Sequence, residues 1–493
     1  MDLLSLTIGI TVAVFLLLII SFSSLVFIIF TGKSLRNPQY PPVTGTVFDQ
    51  LIYFKRLYDY QTNIARKHRT FRLLAPDMSE VYTTDPRNIE HGDHNKEIVR
   101  DLFGHGIFAV DGDMWRQQRK LASFEFSTRI LRDFSCTTFR KNAAKLAGAI
   151  SELMRTDQTF NIQDLLMKCT LDSIFKVGFG VDLNCLGGKS KEANQFMKAF
   201  DDANELTYWR YCDLFWKLKR FFNIGSEATI KKNIQIIDNF VYEVIQNKRE
   251  LLSNEKEDIL SRFLMASEKD PEKMTDKYLR DIILSFMIAG KDTSANTLSW
   301  FFYMICKHPL IQEKVVAEIR DVMDFNEKQT NIADFAMNLT DTILDKMNYL
   351  HAALTETLRL YPAVPVDGKC AEKDDVLPDG YKIKKGDGIY YIAYTMGRMT
   401  YIWGEDAEDF RPERWLNNGV FTPESPFKFV SFHGGPRICL GKDFAYRQMK
   451  IIAMVLLYFF KFKLEDENKQ VTYRTMLTLH MKGGLHLNAF SRV

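Results

Sequence analysis

The sequence predicts a mainly α fold with a minor β-sheet region, preceded by one transmembrane helix. Three observations predict it: an almost unbroken apolar run from Leu3 to Phe30, long helical periodicity through the middle of the chain, and short strand-like pieces near the start and after Pro362. The 493 residues are 46% hydrophobic and 26% charged, which is ample for one large core able to enclose a ligand. The formal net charge of +3 gives no electrostatic support for nucleic-acid binding.

Taken in order, the run Leu3–Phe30 carries only Ser, Thr and Gly among its apolar residues, and it suits a hydrocarbon core of about 30 Å. Lys33 and Arg36 follow it, while Asp2 is the one charged side chain before it. The cationic flank stays on the cytosolic side, so residues 1–30 form a single-pass anchor with the body of the protein in the cytosol. A cleaved signal would instead show a basic start and a shorter apolar stretch. Residues 31–45 contain Pro38, Pro41, Pro42 and Gly45 and form an extended hinge, because proline fixes φ and disfavours helix in the residue before it. Residues 46–493 show no linker, repeat or low-complexity tract and are read as one catalytic domain. Within it, strands are expected at Thr70–Leu74 and Val81–Thr84, and a long helix from Thr275 to His308-Pro309.

Seven cysteines are scattered without a C-x-x-C pair, which indicates a reducing compartment and mostly inert thiols. Cys439 is the exception. It lies in Phe432-His433-Gly434-Gly435-Pro436-Arg437-Ile438-Cys439-Leu440-Gly441, a glycine-flanked loop directly before a helical pattern. Backbone N–H groups brought close by glycine suit a thiolate held against a metal, and Arg437 would face a carboxylate of the bound group. In Ile288-Ala289-Gly290-Lys291-Asp292-Thr293-Ser294, Ala289 and Thr293 share a helical face beside Gly290. Small residues there suit either a flat ligand with dioxygen or a tight helix crossing, and a hydroxyl beside a carboxylate could pass protons. Glu356 and Arg359 are spaced to pair on a helix, ordinarily a weak surface contact. Trp115 and Arg119, also one turn apart, suit a carboxylate or simply a basic surface helix.

The pattern F-x-x-G-x-R-x-C-x-G resembles the haem-binding loop of the cytochrome P-450 family, the haem-thiolate monooxygenases. Ala289 to Ser294 is similar to that family's A-G-x-D-T-T signature with Ser294 in the last place, and Glu356-Thr357-Leu358-Arg359 followed by Pro412-Glu413-Arg414 is similar to its E-x-x-R and P-E-R motifs. The four motifs occur in the family's order across essentially the whole chain. The resemblance implies the family's fold, with haem b between the central oxygen-binding helix and the cysteine loop. It implies Cys439 as the metal ligand, Phe432, Gly435 and Gly441 shaping the loop, and Trp115, Arg119, Arg437 and Lys369 as cofactor-binding residues. Ala289, Gly290, Asp292 and Thr293 are the implied catalytic set, and Glu356, Arg359 and Arg414 a structural triad. By position, Phe103, Ile107, Phe108, Met287, Val364, Val366 and Leu477 are candidates for the substrate pocket.

The runs Phe108–Gly112, Leu121–Ser127 and Gly441–Lys450 look most like plant long-chain fatty-acid omega-hydroxylases. The implied reaction is O₂ + R–H + 2e⁻ + 2H⁺ → R–OH + H₂O, on a lipophilic substrate at the endoplasmic reticulum membrane. About 50 residues follow Gly441, fewer than a further domain needs. Electrons therefore come from NADPH through a separate NADPH-cytochrome reductase, with Lys120, Arg129, Lys442, Arg447 and Lys450 as a basic docking face or a merely solvated one. Compared with the plant enzymes, the stretch after His91 is short and His433-Gly434 is an unusual pair. The alternatives are another lipophilic substrate, a haem-thiolate isomerase or dehydratase, or a catalytically impaired haem-binding variant.

Overall fold

The computed structural model describes residues 3–76, 78–89, 93–94, 96–127, 129–188, 191–250, 258–269, 274–323 and 330–493. The short stretch after His91 begins outside the described residues. Two compact units are present: Met1–Asp93 with Asp367–Ile392, and His94–Val366 with Ala393–Val493.

The smaller unit begins with helix α1 (Leu3–Phe30), within which Gly9–Phe30 has a mean hydropathy of 3.0 and is long and apolar enough to cross a membrane. Its backbone needs no partner outside the helix, which is what a spanning segment requires. The connector that follows is anchored by one buried side chain. Arg72 donates to the carbonyls of Pro41 (2.8 Å), Lys33 (2.7 Å) and Ser34 (3.0 Å), and its guanidinium lies over Tyr40. Strand β1 (Val43–Thr46) already pairs with β2 (Thr70–Leu74), so the end of the expected hinge belongs to a sheet. β3 (Ser79–Thr83) runs antiparallel to β2, β4 (Asp367–Cys370) antiparallel to β5 (Gly388–Tyr391), and β5 parallel to β3, in the order β1-β2-β3-β5-β4. Register places Phe71 opposite Tyr82 and Tyr82 opposite Tyr390, and the three rings stack at 5.4 and 5.1 Å. Such cross-strand aromatic pairs stabilise a sheet beyond the area they bury.

The larger unit is built on helices. Those that position the site are α2 (Lys96–Phe103), α3 (Gly112–Ser127), α4 (Arg129–Arg155), α5 (Ile162–Phe179), α6 (Lys191–Trp209), α7 (Trp216–Phe222), α8 (Gly225–Glu250), α9 (Asp276–Lys307), α10 (Pro309–Met323), α11 (Asn348–Leu360) and α12 (Lys442–Phe459). α9 is the long helix expected from the sequence: Thr275 Oγ1 accepts from the Tyr278 N–H at its start, Asp276 favours its N-terminus, and it stops before Pro309. α9 packs along α5. A Cβ on Gly290 would lie 2.6 Å from Ile174 Cδ1 of α5, so glycine there serves the helix crossing. That corrects the expectation that Gly290 clears room for a ligand. β6 (Phe460–Leu464) leaves α12 and pairs antiparallel with β7 (His486–Ser491).

α12 also corrects one residue of the expected basic face. Lys450 is only 6% exposed, because α12 is apolar all round from Ile451 onward and packs inside the unit, and its ammonium donates to the Leu344 carbonyl at 2.7 Å. Lys120 is exposed, Lys442 and Arg447 are half-exposed, and the side chain of Arg129 lies outside the described residues. Burial pushes the Lys450 pKa down from 10.5 to about 8. Below pH 8 the folded state carries the cost of a buried charge, and that cost fades as pH rises through the interval up to the unfolded value. Lys450→Met is therefore expected to stabilise the protein near neutral pH, by up to about 3 kcal/mol. Its advantage in denaturant titration should narrow between pH 8 and 10.5. An advantage that does not change with pH would mean that burial does not lower the Lys450 pKa in the fold.

Candidate haem-thiolate site

The cysteine loop is made of two short turns, Val430–Phe432 and Gly435–Arg437. The Cys439 N–H donates to the Phe432 carbonyl at 2.8 Å and the Ile438 N–H to that of Gly435 at 3.1 Å, which curls the chain around the thiol. Gly435 takes a φ of +67°, where a side chain would be strained. Gly441 differs. Its φ is −91°, and a Cβ there would lie 3.9 Å from the sulfur, an ordinary contact. Its contribution is its N–H, which favours the thiolate at the start of α12 together with Arg119 and Lys442. Desolvation by the enclosing protein outweighs these and leaves the thiol pKa raised. Cys439 is nevertheless the single cysteine of the seven whose side chain is exposed. Cys136, Cys169, Cys185 and Cys212 are buried and Cys306 and Cys370 half-buried, and burial pushes Cys136 up to about 11 and Cys306 to about 12.

His433 sits at φ 60°, ψ 167°, a backbone region that only glycine adopts freely. His433→Gly should relieve about 1 kcal/mol of strain and raise the thermal midpoint of the haem-loaded protein. An unchanged or lower midpoint would show that the imidazole's contacts outweigh the strain.

Above the loop, α3 brings Trp115 and Arg119 to the same place as Arg437. The Arg437 guanidinium lies 4.4 Å and that of Arg119 5.5 Å from the Trp115 ring centroid. Arg119 Nη2 donates to the Ile438 carbonyl at 2.7 Å, and Arg437 pairs with Asp111. Among the described residues no carboxylate faces Arg119. Two guanidiniums around an indole, one without a carboxylate partner, beside an exposed thiol, fit a flat metal cofactor bearing acid groups. Asp111 was not singled out from the sequence, although it lies one helical turn before Trp115. Lys369 belongs to the smaller unit, where it lies on β4 and its Nζ donates to the Ile89 carbonyl at 3.2 Å.

On α9, residues from Leu279 to Ile305 are buried apart from a stripe that includes Phe286, Ala289 and Thr293. Ala289 is exposed and Thr293 half-exposed, and Thr293 Oγ1 donates to the Ala289 carbonyl at 2.5 Å. Asp292 faces elsewhere. Its carboxylate is fully buried and pairs with Lys291 at 2.7 Å, and no hydrogen bond joins it to the Thr293 hydroxyl. Of the pocket candidates, Ile107, Val364, Val366 and Leu477 are half-exposed and Phe108 is exposed. Phe103 and Met287 are 3% and 0% exposed, so both are corrected to core residues: Met287 lies on the packed side of α9, and Phe103 is edge-packed on Phe108 at 6.0 Å.

The expected triad is assembled. Glu356 accepts from Arg359 Nε (2.7 Å) and Nη2 (2.8 Å), Arg414 Nε (3.4 Å), the Arg411 N–H (2.9 Å) and Trp415 Nε1 (2.9 Å). Three residues not foreseen bolt α11 to the cysteine loop. Ser431 Oγ donates to the Leu358 carbonyl at 2.8 Å, and Tyr446, packed on Phe432 at 5.3 Å, shares a 2.8 Å hydrogen bond with Thr355. Ser431 sits immediately before the recognised loop pattern, and that adjacency was its one signal.

The family model described as cytochrome P-450 matches residues 41–487. Cytochrome P-450 704C1 of Pinus taeda is 51% identical over 481 aligned positions, covering 92% of this chain and 93% of that protein. Cytochrome P-450 704B1 of Arabidopsis thaliana is 42% identical over 503 positions, covering 93% and 96%. Cytochrome P-450 86B1 of the same plant is 38% identical over 461 positions, covering 88% and 82%. Because 503 aligned positions exceed the 493 residues of this chain, that alignment contains gaps in this chain.

Proposed function

The chain belongs to the cytochrome P-450 family of haem-thiolate monooxygenases, and from that premise we propose that it hydroxylates long-chain fatty acids at or near the terminal methyl, using electrons from NADPH through a separate reductase. The observation that carries the reading is the exposed Cys439 thiol at the start of α12, flanked by Trp115, Arg119 and Arg437. Cys439 would hold the iron of haem b, and Arg119, Arg437 and the Trp115 N–H its acid groups. When bound, haem supplies thiolate-supported activation of dioxygen.

The residues around it do the rest. Thr293 holds a proton at Oγ1 on the exposed stripe of α9, and Ala289 leaves space beside it. Phe108, Ile107, Val364, Val366 and Leu477 offer an apolar wall that accepts an alkyl chain and excludes water. Internal C–H bonds are weaker than those of a terminal methyl, so attack at the end of a chain needs such steric control. The fatty-acid assignment is supported by the runs Phe108–Gly112, Leu121–Ser127 and Gly441–Lys450. The apolar α1 suits an anchor in the endoplasmic reticulum membrane with the catalytic body in the cytosol, where lipid substrates partition, and Lys120, Lys442 and Arg447 suit an acidic reductase surface.

The test is a series of free fatty acids incubated with the full-length protein, reductase and NADPH, with the hydroxyl located by mass spectrometry. Hydroxylation at or near the terminal carbon supports the reading. No product from any chain length, in a preparation whose reduced carbon monoxide spectrum is of the thiolate type, rejects the substrate and leaves the monooxygenase family assignment standing. Product formation without NADPH or dioxygen would favour an isomerase.

A further inference from the structure

Resting on that reading, we propose that Asp281 is a positioning residue for substrate selection: its carboxylate seats the loop of residues 104–108 on α9, and so sets where Ile107 and Phe108 meet the alkyl chain. Asp281 and its neighbour Arg280 are 1% and 5% exposed, and both lie in the first two turns of α9. The four carbonyls that end α2 have no partner inside that helix, and the loop and Arg280 together supply one to each. The Gly104 N–H donates to the Arg100 carbonyl and the Gly106 N–H to that of Phe103, each at 2.8 Å. Arg280 takes the two between: Nη1 donates to the Leu102 carbonyl at 3.0 Å and Nη2 to that of Asp101 at 3.3 Å. Its charge is balanced by Asp238 of α8 at 2.7 Å and by Asp281 Oδ1 at 2.9 Å.

The other carboxylate oxygen reaches the loop itself. Asp281 Oδ2 accepts from the His105 N–H at 2.8 Å, while the His105 carbonyl accepts from Gln118 Nε2 of α3 at 2.7 Å, so one loop residue is tied to two helices. Two glycines permit the approach. Gly104 turns the chain at a φ of +54°, and a Cβ on it would overlap the Asp281 carboxylate. A Cβ on Gly106 would lie 2.8 Å from the Asp281 carbonyl oxygen and overlap Ser285 Oγ, one turn further along α9. Asp281, Ser285 and Ala289 recur at intervals of four and share a helical face, which seats the loop one turn before the exposed Ala289. Ile107 and Phe108 follow this seat directly, and Phe108 packs edge-on with Phe103 at 6.0 Å. Apolar side chains can choose one carbon of a flexible chain only if their own backbone is held in place, and the Asp281 carboxylate is what holds it to α9.

The experiment compares Asp281→Ala and Gly106→Ala in the full-length, haem-loaded protein. Asn142→Ala is the control, since it removes a buried 2.9 Å hydrogen bond to Ser173 between α4 and α5. Asp281→Ala leaves Arg280 paired with Asp238, so no buried charge is abandoned. Three quantities are read: hydrogen–deuterium exchange over residues 104–109, the dissociation constants of 1-alkylimidazoles of rising chain length from the Soret shift, and the position of the product hydroxyl. In the parent, each methylene that the wall covers should tighten binding roughly fourfold, the factor that about 0.8 kcal/mol gives. Asp281→Ala and Gly106→Ala should each speed exchange in the loop roughly tenfold, the factor that about 1.4 kcal/mol gives. Both should flatten the chain-length dependence without weakening imidazole itself, and spread oxidation along the substrate chain. Asn142→Ala should match the parent in all three. Parental exchange in Asp281→Ala, or faster exchange with an unchanged chain-length dependence, overturns the proposal. So does a parent that binds every chain length alike, or equal flattening in Asn142→Ala, which would reduce the effect to lost stability. If Asp281→Ala does not fold, Gly106→Ala decides by the same criteria, since it removes no hydrogen-bonding group. If the parent turns over no fatty acid despite a sound thiolate spectrum, the substrate reading fails, while exchange and imidazole binding still decide the role of Asp281.

Discussion

Cys439→Ser is expected to abolish the thiolate-type carbon monoxide spectrum and all oxygenation, while the polypeptide remains folded. A hydroxyl matches the thiol in size, so the loop formed by the Cys439 N–H to Phe432 carbonyl bond and the Gly435 turn has no reason to rearrange. What changes is the donor. A thiol gives up its proton on binding a metal, whereas a serine hydroxyl stays protonated and gives iron little electron density. Gly441 N–H, Arg119 and Lys442 would have no anion to stabilise. Cys306→Ser is the control: that thiol is pushed up to about 12 by burial and should leave the spectrum unaltered. A thiolate spectrum surviving in Cys439→Ser would assign the ligand to another residue.

Much of this site could be read in the sequence because its chemistry is local. Cys439, Arg437 and the glycines occupy one loop, and Thr275 with Pro309 brackets α9 through capping and ring sterics that act over a few residues. Thr70–Leu74 was legible for the same reason, as a β-rich run stopped by turn residues. The errors share the opposite cause. Periodicity tells which residues share a helix face but not what that face meets. Gly290 was placed beside Thr293 correctly, yet its neighbour is Ile174 of α5. Asp292 was read with the adjacent hydroxyl, while its partners come from α6 and from Thr478 and His480 far along the chain. Lys450 carries a charge and was read as surface, but its helix is buried on all sides from Gln448 onward and its ammonium reaches Leu344. The weak surface pair at Glu356 and Arg359 became a buried cluster only once Arg414, Arg411 and Trp415 were folded onto it.

That cluster carries the second large effect. Glu356→Gln should destabilise the protein by about 3–5 kcal/mol, the usual cost of removing one partner from a buried charge pair, which is a large share of a typical domain stability of about 5–15 kcal/mol. Glu356 and Arg359 are both fully buried, and one carboxylate answers five donors, two from Arg359 and one each from Arg411, Arg414 and Trp415. An amide in its place turns one acceptor into a donor facing donors and leaves the Arg359 charge buried without an anion. Haem retention should fall with stability, because α11 is joined to the cysteine loop through Ser431 and Leu358. Replacing a buried ion pair with apolar residues is frequently tolerated, but here it should not rescue. Arg359 also donates to the carbonyls of Gly397, Ala407 and Asp409, and Glu356→Leu with Arg359→Met would orphan all three. Denaturant unfolding and haem content of the single and double variants measure this. A double variant as stable as the parent would mean that those carbonyls find other partners and that the cluster acts only as an ion pair.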